Sequence, residues 1–323
     1  MKIWGSKRIK ETILFAVYGA VFGYLIYYVA SNGDIMDRIM HSSVRYVLLG
    51  MACTIIAMVL TAFLDVICAK VYGIRISAME SIGLTFISAA INLILPMQIG
   101  SAAKAVYFKK KSSLTYSKYI AIVSGTLAVN AVVSFIQLIF SFLVSAVRWD
   151  IDRIYIWMVL TGFVGMVMVL ALGLRFQEFV LKIIPLKRYT LPILEGVYAL
   201  LRDRRAVSLC FINTVMSAVI GGVRFFFIFL ALGEEVDLLE GMLYYSIYAA
   251  SSMMPVLPGN IGISEALMGV LNLIVKSDFK IGVTLVLFNR IYYYIVSISG
   301  ALIAAIPIWK RYNRLEKKVE GIP

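Results

Sequence analysis

Apolar runs long enough to cross a hydrocarbon core of ~30 Å as helices, about 20 residues each, recur along the whole chain. A soluble core could not absorb this much apolar sequence in 323 residues. Charged residues make up only 15%, against ~25% in soluble domains. The chain therefore reads as an all-α polytopic membrane protein, one integral membrane domain over residues 1–323 with no sizeable soluble part.

Six runs read as full spans: Thr12 to Ala30, Val44 to Cys68, Tyr119 to Val147, Ile154 to Leu174, Val207 to Leu232 and Ile281 to Trp309. The basic segment before Thr12 runs into the first span without a small-residue cleavage site, so that span is expected to stay uncleaved. Two further apolar segments, Ile82 to Phe108 and Gly241 to Val275, are interrupted near their middles by proline and glycine.

Loop charge decides how these two segments run. If every segment crossed once with the N-terminus inside, Lys109, Lys110 and Lys111 would lie outside. So would the connection 175–205, with Arg175, Lys182, Lys187, Arg188, Arg202, Arg204 and Arg205. Both placements oppose the positive-inside bias. If each segment turns back near the midplane, these groups become cytoplasmic, together with Lys310, Arg311 and Arg314. The acidic loop with Glu234, Glu235, Asp237 and Glu240 then falls outside. The expected layout is six spans and two re-entrant hairpins, 82–108 and 241–275, in a cell membrane with both termini cytoplasmic. The two breaks also match: Leu95-Pro96-Met97-Gln98-Ile99-Gly100 aligns with Leu257-Pro258-Gly259-Asn260-Ile261-Gly262. Entry from opposite faces makes this an inverted repeat of halves 1–174 and 206–323, joined by an amphipathic connection over 175–205.

Net charge is +13. The Lys and Arg residues sit at the ends of apolar runs rather than on one polar face, which fits an anionic membrane surface and not nucleic acid. One histidine, His41, and three unpaired-looking cysteines, Cys53, Cys68 and Cys210, leave no metal-ligand cluster and no cofactor motif. Ser264 has no activating base at hand, so the chain is not expected to be an enzyme.

Irregular backbone at membrane depth must be buried in protein or line a wet cavity. Pro96, Gly100, Pro258, Gly259 and Gly262 break the helices, and half-helices follow near Ser101 and Ser264. Their free N–H groups suit an anion. Gln98 and Asn260 stand at the two tips. Lys104, one turn into the first half-helix, either adds a positive charge to the site or snorkels toward the inner surface. Glu265 needs a partner at this depth, and Arg290, about 14 Å along the last span at ~1.5 Å per residue, is the natural one. Arg224 lies about 12 Å from the outer end of its span, either as a substrate contact or as structural glue. Asp65 is expected to pair with nearby Lys70 at the inner interface.

The stretch LPGNIGISE, with Arg290 in LFNRIYYY and Gly300 downstream, resembles the family of the lysylphosphatidylglycerol synthase transmembrane region, a flippase-like membrane domain. An earlier family pattern is represented by Asn92, Pro96, Gly100 and Lys104. The sequence departs from the family where Gln98 stands for arginine, Ser101 for glutamate, and the neutral SGTLAVN for a charged motif. The resemblance implies translocation of an anionic lipid or a polyprenyl-phosphate-linked glycan, without the aminoacyl-transfer activity of full-length synthases. Two rival readings stand beside it. One is a secondary transporter of a small soluble anion; the other is an accessory partner of a lipid- or glycan-synthesising enzyme.

Overall fold

Long helices form over four of the six predicted spans. The computed structural model describes residues 23–24, 27–28, 30–94, 99–112, 116–148, 198–252 and 260–320. Among these residues the helices are α1 (Gly33–Met40), α2 (Val44–Val71), α3 (Ala78–Ile94), α4 (Ile99–Ser112) and α5 (Tyr116–Arg148). They continue with α6 (Arg204–Ala231), α7 (Leu238–Ser252), α8 (Ile263–Lys276) and α9 (Phe279–Glu320). Four segments, Val44–Val71, Lys118–Val144, Arg204–Ala231 and Phe279–Arg314, are long and apolar enough to cross a membrane. The predicted spans Thr12 to Ala30 and Ile154 to Leu174, and most of the connection 175–205, fall largely outside the described residues.

Two boundaries differ from expectation. The last helix continues past Trp309 to Glu320, because its basic end, rich in Lys, Glu, Leu and Arg, consists of good helix formers. The short helix α1 is not anticipated; its spacing of Ile35, Met36, Ile39 and Met40 gives it an apolar face, and Ile35 is buried.

Each interrupted segment folds back on itself. In the first, Lys111 at the end of α4 donates to Glu80 at the start of α3, at 2.6 Å. In the second, Lys276 at the end of α8 lies 3.3 Å from Glu240 at the start of α7. Each segment thus starts and ends at the same end of the bundle. The last helix fixes their relative direction. Arg311, near the C-terminal end of α9, reaches Glu80 at 3.3 Å, whereas α9 begins at Phe279, three residues beyond Lys276. The bases of the two hairpins therefore sit at opposite ends of α9.

α2 and α6 run antiparallel between these ends. Ser43 N donates to the Ala231 carbonyl at 2.9 Å, and at the other end the Cys68 and Cys210 sulfurs are 3.6 Å apart. Buried Leu64, Cys68, Tyr107, Phe108 and Cys210 fill the core beside the first hairpin. Phe225, Phe229, Tyr244, Met268, Leu285 and Tyr292 fill the core beside the second.

Close approaches need small residues. A Cβ on Gly100 would fall on the Ser88 carbonyl oxygen of α3, so only glycine lets the first hairpin close at its tip. Gly221 and Gly222 of α6 meet Tyr245 and Met242 of α7, and Gly241 meets the Gly222 carbonyl and Phe226 N. This is the small-residue packing by which membrane helices approach closely.

Candidate functional site

The second hairpin carries the most completely built polar constellation. Its return helix α8 starts after Gly262, at φ +89°, a conformation that glycine adopts without a Cβ penalty. Asn260, also left-handed at φ +59°, donates from Nδ2 to the Ser251 carbonyl across the hairpin. Ser264 bonds the Ser251 hydroxyl at 3.1 Å and the Asn260 carbonyl at 3.3 Å. These contacts tie the start of α8 to the end of α7.

Glu265 stands in the first turn of α8, where the helix dipole favours a carboxylate. One oxygen accepts the Gly262 N–H at 2.8 Å, and the other accepts Arg290 Nε at 2.8 Å. Glu265 is 3% exposed and Arg290 9%. Glu265 lies eleven residues from the hairpin base at Lys276, and Arg290 eleven residues from Phe279. Both are thus about 16 Å deep at ~1.5 Å per residue. The pair expected from sequence forms, near the middle of the bundle.

The first hairpin repeats this plan with its charges exchanged. The Gly100 N–H at the start of α4 donates to Asn92 Oδ1 at 2.7 Å. One turn on, Lys104 donates to Asp65 of α2 at 2.6 Å and to Thr85 at 3.1 Å. Asp65 therefore pairs with Lys104 and not, as expected, with Lys70. A lysine in an apolar setting takes the carboxylate that the hairpin brings to it, whereas Lys70 is free to reach the polar boundary. Lys104 is a neutralised group rather than a bare cation. Ser101 is half-buried and forms no side-chain hydrogen bond among the described residues. Pro96, Gln98, Pro258 and Gly259, the remaining candidates at the breaks, lie outside the described residues.

Arg224 is separate from both pairs. It lies on α6, 7% exposed, its guanidinium carbon 5.8 Å from the Tyr245 ring centroid and 5.9 Å from that of Phe225. It forms no ion pair among the described residues, and its buried Nε has no hydrogen-bond partner. Tyr248 packs 5.5 Å from Phe225 and lies within electrostatic range of Arg290.

At the base of the first hairpin Glu80 collects Lys111, Tyr107 at 2.9 Å, the Ser77 N–H at 3.0 Å and Arg311. Burial opposes its charge, but the Lys111, Ser77 and Tyr107 hydrogen bonds outweigh it and lower its pKa to about 2. Sequence reasoning missed this cluster, the Asn92 cap and Asp65 as the Lys104 partner. The available signal for the last was the need of any intramembrane lysine for a counter-ion.

Residues 13–300 match the sequence profile of the lysylphosphatidylglycerol synthase TM region. The chain belongs to this family. Membership accounts for the helical layout and places the protein in a membrane, in a lipid-handling context. Among curated proteins, no relative matches the chain. Within the family framework, the two hairpins supply one charge pair each, buried in the second and partly buried in the first, and Arg224 supplies a cation with no counter-charge among the described residues.

Proposed function

We propose that this member of the lysylphosphatidylglycerol synthase transmembrane-region family translocates the headgroup of an anionic lipid or lipid-linked glycan. In this reading it works as a non-catalytic flippase of the cell membrane, its headgroup passing between the two hairpins while the tails stay in the bilayer. The observation that carries the proposal is the buried Glu265–Arg290 pair at the inner end of a hairpin opposed by a second one. Discontinuous helices that meet from opposite faces are how membrane transporters build a midplane site that opens alternately to each side. The lipid context of the family supports a lipid substrate. Charge supports the orientation: the end of the bundle at the first hairpin's base carries Lys109, Lys110, Lys111, Arg204, Arg205, Lys310, Arg311 and Arg314, and faces the cytoplasm under the positive-inside bias.

Breaking the Glu265–Arg290 pair by protonation or by an incoming anion would free Arg290 for the headgroup, at the cost of a buried charge that the headgroup offsets. The test is a flipping assay in proteoliposomes containing fluorescent phosphatidylglycerol. Wild type flips the lipid, and Arg290→Ala and Glu265→Gln do not. Equal flipping by all three removes this pair from the route.

A further inference from the structure

The buried and partly buried cations of this bundle sort into two kinds. Arg290, Lys104, Lys111 and Lys276 each have a carboxylate oxygen within 3.3 Å. Arg224 has none among the described residues, although it is 7% exposed and lies seven residues from the end of α6. That is about 10 Å from the polar boundary at ~1.5 Å per residue, on the side of the acidic loop. An uncompensated guanidinium at such depth is costly, and residues of this kind in membranes mark substrate paths more often than packing. The two aromatic rings near 6 Å compensate it only in part.

The surroundings are built for a ligand that this cation would hold. Gly221, one turn before Arg224, lets the Tyr245 ring lie flat against α6, where a Cβ would exclude it. Cys53 of α2, Tyr245 of α7 and Tyr293 of α9 all lie within electrostatic range of the guanidinium, so four helices meet around it. None of these neighbours contributes a carboxylate, and Tyr245 and Tyr293 carry phenol hydroxyls, which can donate to an anion. A planar guanidinium presents paired N–H donors that match two oxygens of a phosphate.

We propose that Arg224 is the resident binding cation for a phosphate-type anion, with Tyr245 and Tyr293 as its aromatic neighbours. This rests on the translocation reading and deepens it, because Lys104 and Arg290 are already neutralised and the headgroup then docks first at Arg224. Tyr248 packs on Phe225 beside Arg224 and lies within electrostatic range of Arg290, so an anion released from Arg224 has a second cation to meet when the Glu265–Arg290 pair opens. The shared chemistry is an anionic phosphate group; its source is a lipid headgroup or free inorganic phosphate.

The test uses the full-length protein in detergent micelles and reads its unfolding temperature. Phosphatidylglycerol is compared with phosphatidylcholine, and sodium phosphate with sodium chloride at equal ionic strength. Wild type is expected to be stabilised by phosphatidylglycerol, by inorganic phosphate, or by both, and which of them acts identifies the source. Arg224→Met is expected to lose that shift, with at least a tenfold weaker apparent affinity, and Arg224→Lys to keep part of it. Without ligand, Arg224→Met should unfold no lower than wild type, since it removes a desolvated charge that lacks a partner. An unchanged ligand shift in Arg224→Met, the absence of a shift in wild type, or a lower unfolding temperature of the ligand-free variant overturns the proposal. Flipping that persists in Arg224→Met with an unchanged shift removes this site and leaves translocation standing. An Arg224-dependent shift in a protein that flips no lipid removes translocation and leaves the site.

Discussion

Lys104 of α4 and Asp65 of α2 meet at 2.6 Å, one helix turn beyond a hairpin tip, as Glu265 of α8 and Arg290 of α9 do at 2.8 Å in the other half. In each case the return helix of a hairpin supplies one charge and a long apolar helix supplies the other. The sign is reversed between halves: a lysine on the first return helix, a glutamate on the second. Each return helix also has an N–H at its start capped by a side chain, Gly100 by Asn92 and Gly262 by Glu265. The pairs anchor the hairpins to the crossing helices and keep the bundle's centre electrically balanced.

Removing Arg290 leaves Glu265 buried and uncompensated, at a cost of ~3–5 kcal/mol. Arg290→Met should lower stability by about that amount, and Asp65→Asn by less, since Lys104 is partly exposed and keeps Thr85 as a partner. The double variants Glu265→Gln with Arg290→Met, and Asp65→Asn with Lys104→Met, should recover most of it. Denaturant titration in micelles measures these four proteins, together with the single variants Glu265→Gln and Lys104→Met, against wild type. Simple additivity within either pair would show that its charges do not interact.

Gly100→Ala should cost ~1–3 kcal/mol by overpacking, because the new Cβ meets the backbone carbonyl of Ser88, which cannot rotate away. Gly83→Ala is the contrasting case. There the nearest atoms are side-chain carbons of α9, Ile308 Cγ1 at 3.0 Å and Cδ1 at 3.2 Å, which need to give by only a few tenths of an ångström, so a smaller loss is expected. Thermal unfolding of the two variants compares them directly.

Much of this architecture is legible in the chain itself, for identifiable reasons. Hydropathy marks the long helices, and Lys109 to Lys111 show that the first interrupted segment must turn back. Counting residues from the helix ends is enough to bring Glu265 to Arg290, because both depths follow from helix rise. The Asp65–Lys104 pair is not legible in this way. The two residues are 39 positions apart, and only the packing of the first hairpin against α2 makes Lys104 a nearer partner than Lys70. The isolation of Arg224 is likewise a property of its neighbours in space, since Tyr245 and Tyr293 come from helices that follow it in sequence.

The Glu80 latch should give the protein an acid limb of instability. Its pKa is lowered to about 2 in the folded state, against ~4.3 for a free glutamate. A lowered carboxylate pKa stabilises above the unfolded value, and that stabilisation is lost as pH falls through the folded one. The difference in unfolding temperature between wild type and Glu80→Gln should be full at pH 5 and shrink toward pH 2. A difference that stays constant over this window would mean that Glu80 holds Lys111 and Arg311 without its charge.

The opposed entry of the two hairpins underlies every role proposed for these residues, and single-cysteine labelling in oriented membrane vesicles measures it. Cysteines at Ser77 and Lys111 test the base of the first hairpin, and cysteines at Glu235 and Ser277 test that of the second, in a background with Cys53, Cys68 and Cys210 replaced by alanine. A membrane-impermeant maleimide should label Ser77→Cys and Lys111→Cys from the cytoplasmic face alone, and Glu235→Cys and Ser277→Cys from the opposite face alone. Labelling of Ser77→Cys and Lys111→Cys from different faces would mean that the segment crosses the membrane, and would contradict the paired-hairpin architecture.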